Sequence, residues 1–179
     1  MRTFVAVFPP PEVREALFRA ARDLPASKAF RLIGPEKLHL TLKFLGNVAE
    51  DDLSRVAQAL EPLRERHEPF EVSISGFGAF PSERKARILW AGVGEGSEPL
   101  RAVALSVEDL LEPAAGFGRE QRPYVPHLTL ARARGRQAKL ENTDISPPAL
   151  RFTVSSVELV ESVPGAGGVT YSILQTYSF

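Results

Sequence analysis

The sequence predicts an α+β fold of two pseudo-symmetric lobes, with antiparallel sheets flanked by helices around a central cleft. Three observations predict it. The tetrapeptide His-Leu-Thr-Leu occurs twice, at His39 to Leu42 and at His127 to Leu130, and uses two of the three histidines in the chain. Strand-like alternation and helix-like periodicity recur in both halves, with one copy of the tetrapeptide in each. The copies lie too far apart for a solenoid repeat, and 179 residues with 44% apolar content suffice for one domain or two intimately packed lobes. We therefore expect residues 1–179 to form a single domain of two interleaved lobes, whose shared cleft is where a small ligand binds.

The elements follow in order. Arg2 to Phe8 reads as a strand, broken by Pro9 to Pro11, which open a helix carrying Val13, Ala16, Leu17, Ala20, Ala21 and Leu24 on one face. Leu38 to Leu45 is the next strand. Alternation sets Leu38, Leu40, Leu42 and Phe44 on one side of it and His39, Thr41 and Lys43 on the other. A helix starts at the acidic cluster Glu50, Asp51 and Asp52, which suits a helix N-terminus, and ends near His67 and Pro69. Phe70 to Phe80 and Ala86 to Val93 read as paired strands around a turn at Pro81 to Arg84. Ser97 is placed to cap a helix with Leu100, Val103, Ala104, Val107, Leu110 and Leu111 on its apolar face. After Gly116 and Gly118, Pro123 and Pro126 frame Tyr124 and lead into the strand His127 to Ala131. Phe152 to Val163 and Val169 to Phe179 close the chain as strands around a turn at Gly165, Gly167 and Gly168. Arg134 to Leu150 carries no chemical signal.

Bulk properties narrow the function. With 22 basic and 22 acidic residues there is no global field of the kind that draws a protein along duplex DNA. Charge is uneven, however: Arg119, Arg122, Arg132, Arg134, Arg136 and Lys139 face a single acid, Glu120, in the stretch around the second tetrapeptide. The absence of cysteine removes disulfides, thiolate nucleophiles and zinc-thiolate sites. The run Phe4 to Phe8 is too short for a signal-peptide core and no later stretch approaches a membrane span, so the expected location is the cytoplasm, with no membrane association.

The repeated tetrapeptide has a chemical reading. Alternation places His127 beside Thr129 as it places His39 beside Thr41, so both strands present the same pair. A histidine titrates near pH ~6.5, so one imidazole can accept a proton while another donates one. That is the minimum for metal-free acid–base chemistry on a phosphate ester. Threonine hydroxyls can donate to phosphoryl oxygens, and Lys43 and Arg132 add positive charge. Arg132 falls on the leucine side of an ideal strand, so it needs a bulge, a strand end or a long reach. His67 reads as an ordinary surface histidine. Metal chemistry lacks a ligand cluster, serine hydrolysis lacks a Gly-x-Ser-x-Gly elbow, and the glycines at Gly92, Gly94 and Gly96 lack the Gly-Lys-Ser/Thr of a nucleotide loop. No cofactor is expected.

The segments His39-Leu-Thr-Leu-Lys-Phe-Leu-Gly46 and Pro126-His127-Leu-Thr-Leu-Ala-Arg132 resemble the twin motifs of the 2H phosphoesterase superfamily, in particular the RNA 2′,3′-cyclic phosphodiesterases also described as 2′-5′ RNA ligases. The resemblance extends over Arg2 to Pro10, Arg31 to Gly46, Ile88 to Val93 and Arg122 to Arg132. It implies the bilobal 2H-phosphoesterase fold and hydrolysis of RNA 2′,3′-cyclic phosphate ends to 2′-phosphomonoesters. His39 would be the proton donor to the leaving 3′ oxygen and His127 the proton acceptor from water, with Thr41 and Thr129 holding phosphate oxygens. Arg132 matches a basic family position, and Phe8, Trp90 and Tyr124 are candidates to stack on the terminal base. The implied partners are RNA ends bearing the cyclic phosphate, such as tRNA halves, or nucleotides, met by a monomer. Two alternatives remain open: ATP-independent 2′-5′ RNA ligation by the same acid and base, and a non-catalytic RNA-end binding module.

Overall fold

A computed structural model describes residues 1–140, 147–166 and 168–179. Strand β1 (Arg2–Val7) stops at the prolines, and Pro11 occupies the first position of helix α1 (Pro11–Arg22), where its missing N–H costs nothing. A short strand not foreseen from the sequence, β2 (Phe30–Leu32), precedes β3 (Leu40–Asn47), the strand of the first motif. Helices α2 (Glu50–Leu60) and α3 (Leu63–Arg66) replace the one helix expected there, divided at Pro62. Strands β4 (Phe70–Phe80) and β5 (Ile88–Val93) form the expected antiparallel pair. Helix α4 (Ser97–Ala115) is preceded by Gly96 at φ 85, where a Cβ would overlap the Glu71 carbonyl. Ser97 is thus not the N-cap. Its hydroxyl donates instead to the carbonyls of Gly94 and Val93, at 2.7 and 2.9 Å.

The second motif begins β6 (His127–Ala133), followed by β7 (Arg151–Val154), β8 (Ser156–Gly165) and β9 (Gly168–Ser178). The expected strand Phe152 to Val163 is interrupted at Ser155 because its two parts serve different partners: β7 pairs with β4, and β8 with β1. Gly165 and Gly168 pair across the final turn, and Gly167 lies outside the described residues. The strand order β7-β4-β5-β6-β3-β1-β8-β9 is symmetric about its centre, where the two motif strands meet at the single pair Leu40 and Leu128. One half holds β1, β3, β8 and β9, the other β4 to β7. Each motif strand is joined to its outer neighbour by a connection that contains a helix, β1-α1-β2-β3 and β5-α4-β6. Those helices cross over, α1 packing on β6 and α4 on β3. All the pairings are antiparallel, and the helices cover one side of the curled sheet. Val5, Val7, Leu40, Leu42, Leu128 and Leu130 face that helical layer and are buried with Leu17, Leu100 and Val107.

Both motif strands carry a β-bulge at the same place. β1 pairs Ala6 with Thr41 and Val5 with Lys43, passing over Leu42; β5 pairs Trp90 with Thr129 and Leu89 with Ala131, passing over Leu130. One extra residue shifts every later side chain to the opposite face. The burial records it: after His39 and after His127, leucine, threonine, leucine and the next residue read buried, half-buried, buried, buried, and the one after is exposed. Lys43 therefore goes to the core, correcting the expectation that it shares the face of His39. It is 3% exposed, and its ammonium donates to both Glu108 oxygens on α4 and to the Gly118 carbonyl, all at 2.8 Å. Phe44 takes the outer place, 63% exposed, and Arg132 is its counterpart.

Candidate active site

The two motifs meet where β3 and β6 touch. Continuing the Leu40 and Leu128 register by one residue each way sets His39 opposite Thr129 and His127 opposite Thr41. Directly opposed residues of an antiparallel pair stand about 4.5–5.5 Å apart at Cα, so two imidazoles and two hydroxyls form a square on the face away from the helices. The strands share only that one pair before diverging, which opens the furrow between the lobes.

Each imidazole is locked in the same way. His39 Nδ1 lies 2.7 Å from the Lys37 carbonyl and His127 Nδ1 2.7 Å from the Val125 carbonyl, in both cases the residue two positions earlier. A carbonyl only accepts, so both Nδ1 atoms carry hydrogen and donate it. Proton exchange then belongs to Nε2 on both rings: a lone pair when the ring is neutral, a donor when it is cationic.

The surroundings of the two rings differ. Phe4 and Ala6 on β1, and Phe8 just beyond its end, face the furrow. His39 lies between Phe4 and Phe8, at 4.9 and 5.4 Å between ring centres, and Tyr171 of β9 meets it edge-on at 5.3 Å. Burial in this aromatic box pushes the His39 pKa below its ordinary value. The hydrogen bond to Lys37 opposes the shift, and the charge of His127 adds to it. His127 instead packs edge-on to Phe80 at 5.2 Å and beside Trp90 at 6.3 Å. The Trp90 indole lies over Gly78, where a Cβ would overlap the ring, and close to Gly92. Replacing Gly78 by Ala should displace the indole, cost about 1–3 kcal/mol of stability through overpacking, and loosen His127. A thermal melt together with the indole fluorescence maximum reads both effects.

Of the residues expected at the site, His39, Thr41, His127, Thr129, Phe8, Trp90 and Arg132 share the furrow face. Phe8 packs against His39 on one side, with the Arg14 guanidinium 6.0 Å from its ring centre. The bulge supplies what Arg132 needed. Tyr124, expected as a stacking ring, does not lie there: it packs on the main core with its hydroxyl buried, and burial pushes its pKa up. Nor does His67 at the end of α3, whose Nε2 is 2.9 Å from Ser106 Oγ on α4. Sequence reading missed Phe4, Phe44, Phe80 and Tyr171. Phe4 shares the parity of Phe8, but its role depends on knowing that β1 is the neighbour of β3.

A family model described as the 2′-5′ RNA ligase superfamily matches residues 9–165. An RNA 2′,3′-cyclic phosphodiesterase of Methanothermobacter thermautotrophicus is 33% identical, the match covering 99% of this chain and 98% of that protein. One from Thermus thermophilus is 34% identical over 99% of this chain and 90% of its own length. Among solved structures, TT0787 of Thermus thermophilus superposes with a TM-score of 0.85 at 29% identity, covering 99% of this chain and 97% of that one. Escherichia coli LigT, crystallised with 3′-AMP, superposes with a TM-score of 0.84 at 25% identity over the same shares.

Proposed function

The chain belongs to the 2′-5′ RNA ligase superfamily, and on that premise we propose that it opens 2′,3′-cyclic phosphate ends of RNA by hydrolysis, leaving a 2′-phosphate and a free 3′-hydroxyl. The observation that carries this reading is the square of His39, Thr129, Thr41 and His127, with both Nε2 atoms left free by the carbonyl locks. His127 Nε2 takes a proton from water as the water oxygen bonds to phosphorus. His39 Nε2 gives a proton to the 3′ oxygen as the P–O3′ bond breaks. Thr41 and Thr129 donate to the non-bridging oxygens, where charge develops in the transition state. Phe8 and Trp90 flank the two imidazoles as surfaces for the terminal base.

The same residues accommodate a ribose 5′-hydroxyl in place of water, which would give a 2′-5′ bond. Water at bulk concentration favours hydrolysis, and mixing cyclic-phosphate and 5′-hydroxyl RNA halves scores the two outcomes side by side. Among the described residues no helix is long and apolar enough to cross a membrane. The proposed setting is a monomer acting in the cytoplasm on RNA ends such as tRNA halves.

The His39 environment predicts a pH signature. As acid, His39 must be protonated, and in the free protein its lowered pKa means that the proton is lost below pH 6.5. The alkaline limb of kcat/KM should therefore fall below that value. A bound phosphate anion favours imidazolium, so the alkaline limb of kcat should lie higher. NMR titration of the His39 imidazole, alone and with a 2′-phosphorylated product, checks the assignment. A midpoint above 6.5 in the free protein would contradict it.

A further inference from the structure

Among the described residues Phe44 is the most exposed large apolar side chain, at 63%. A lone exposed ring is ordinary on a protein surface, but this one borders the reacting pair. It shares the furrow face with Phe4, its direct partner across the β1 and β3 ladder, and the two ring centres are 6.1 Å apart. The bulge at Leu42 leaves Phe44 two strand positions beyond Thr41, roughly 7 Å along β3. Thr41 is the residue set opposite His127, so Phe44 belongs to the His127 end of the furrow. Phe8 belongs to the other end, where it packs on His39.

The chemistry distinguishes the two ends. In an in-line displacement the attacking and departing oxygens stand on opposite sides of phosphorus. His39 serves the departing 3′ oxygen, whose nucleoside lies towards Phe8. His127 serves the attacking oxygen, and whatever carries that oxygen extends towards Phe44. The neighbouring strands leave room for it. Exchanging the halves of the sheet carries Phe8 onto Gly92, so β5 puts no side chain where Phe8 stands beside His39. Ser75 of β4 pairs with Gly92, is exposed, and holds its hydroxyl close to that glycine. The attacking end therefore offers an aromatic ring from one half and a hydroxyl from the other. Water needs neither.

We infer that Phe44 is the stacking platform of an acceptor subsite, which takes the nucleobase of an RNA end whose 5′-hydroxyl replaces water as the nucleophile. This rests on the proposed reaction and adds a second nucleoside site to it. His127 Nε2 takes the proton of the 5′-hydroxyl as O5′ bonds to phosphorus, the P–O3′ bond breaks, and His39 Nε2 protonates the 3′ oxygen. The product is a 2′-5′ diester with a free 3′-hydroxyl. Stacking on a ring grips any base by its face, so the subsite favours a nucleoside over a small alcohol without reading sequence.

The test supplies a cyclic mononucleotide together with adenosine or methanol as competing nucleophile, and measures in each mixture the ratio of transfer product to hydrolysis product. A ratio taken within one tube does not depend on how much of a variant is folded. The wild type should use adenosine more readily than methanol at equal concentration. Phe44→Ala should lower the adenosine ratio by about tenfold, the scale of one base stacked on one ring, and leave the methanol ratio where it was. Phe44→Trp should keep the adenosine ratio or raise it. An adenosine ratio unchanged in Phe44→Ala, an equal fall in both ratios, or a wild type without preference for adenosine overturns the subsite. Failure of the wild type to hydrolyse the cyclic mononucleotide overturns the reaction itself, a different outcome.

Discussion

His39→Ala and His127→Ala should each lower turnover of an RNA 2′,3′-cyclic phosphate end by about 10³-fold, the middle of the range for losing a positioned acid or base. The double variant should be little worse than either single one, since an acid and a base acting in one transition state are not additive. The two losses differ in kind. With an acidic phenol as leaving group, protonation of the departing oxygen is no longer needed. His39→Ala should then recover most of its rate while His127→Ala stays impaired. Equal recovery of both would contradict the division of labour, and survival of activity in either single variant would remove that histidine from the reaction. Circular dichroism of the variants separates chemistry from folding.

Lys43→Met should cost about 3–5 kcal/mol of stability, because it strands the Glu108 carboxylate in a nearly closed site with its partner gone. For a chain of this size that is a fall in melting temperature of roughly 10 °C. The double variant Lys43→Met/Glu108→Leu should regain most of the loss, since an apolar pair of similar volume often replaces a buried ion pair without penalty. Lys43 also holds the Gly118 carbonyl, at the start of the loop that delivers Val125 and His127. The single variant should therefore lose activity below its melting point as well. A surface lysine on the substrate side would instead affect KM and leave the melt unchanged.

Lys43 and Arg132 mark the limit of what was legible in the sequence. Alternation was enough to place each His with its Thr, because within the tetrapeptide a strand keeps its period of two. The bulge after it was not legible, since a bulge arises from pairing with β1 and β5 and leaves no local composition. A single unseen residue sent Lys43 inward and Phe44 and Arg132 outward. Repetition held the missing clue: the same device at Leu42 and Leu130 turns the fifth residue of each motif to the core and the sixth to the furrow. Tyr171 was beyond reach for another reason. It comes from β9, far along the chain, and only the curl of the β3-β1-β8-β9 half carries its ring to His39. Tyr124 failed oppositely, since its place beside the second motif in sequence says nothing of which side of the sheet its ring takes.

The aromatic box around His39 and the looser setting of His127 are the one clear breach of symmetry at the site. At equivalent positions of the two halves Ala6 corresponds to Trp90, Phe8 to Gly92 and Phe44 to Arg132. One half is apolar, the other carries the charge. Two histidines with identical locks are thereby set in different surroundings, and burial among the rings lowers the pKa of His39.

The central claim is that the His39 and His127 square opens a cyclic phosphate with water and releases the 3′ oxygen. The direct measurement is incubation of a short RNA ending in a 2′,3′-cyclic phosphate in ¹⁸O-labelled water, with the product identified by ³¹P NMR and mass spectrometry. The account predicts a single product with a 2′-phosphate, a free 3′-hydroxyl and one labelled oxygen on phosphorus. A 3′-phosphate product, or recovery of the intact cyclic phosphate, would contradict it.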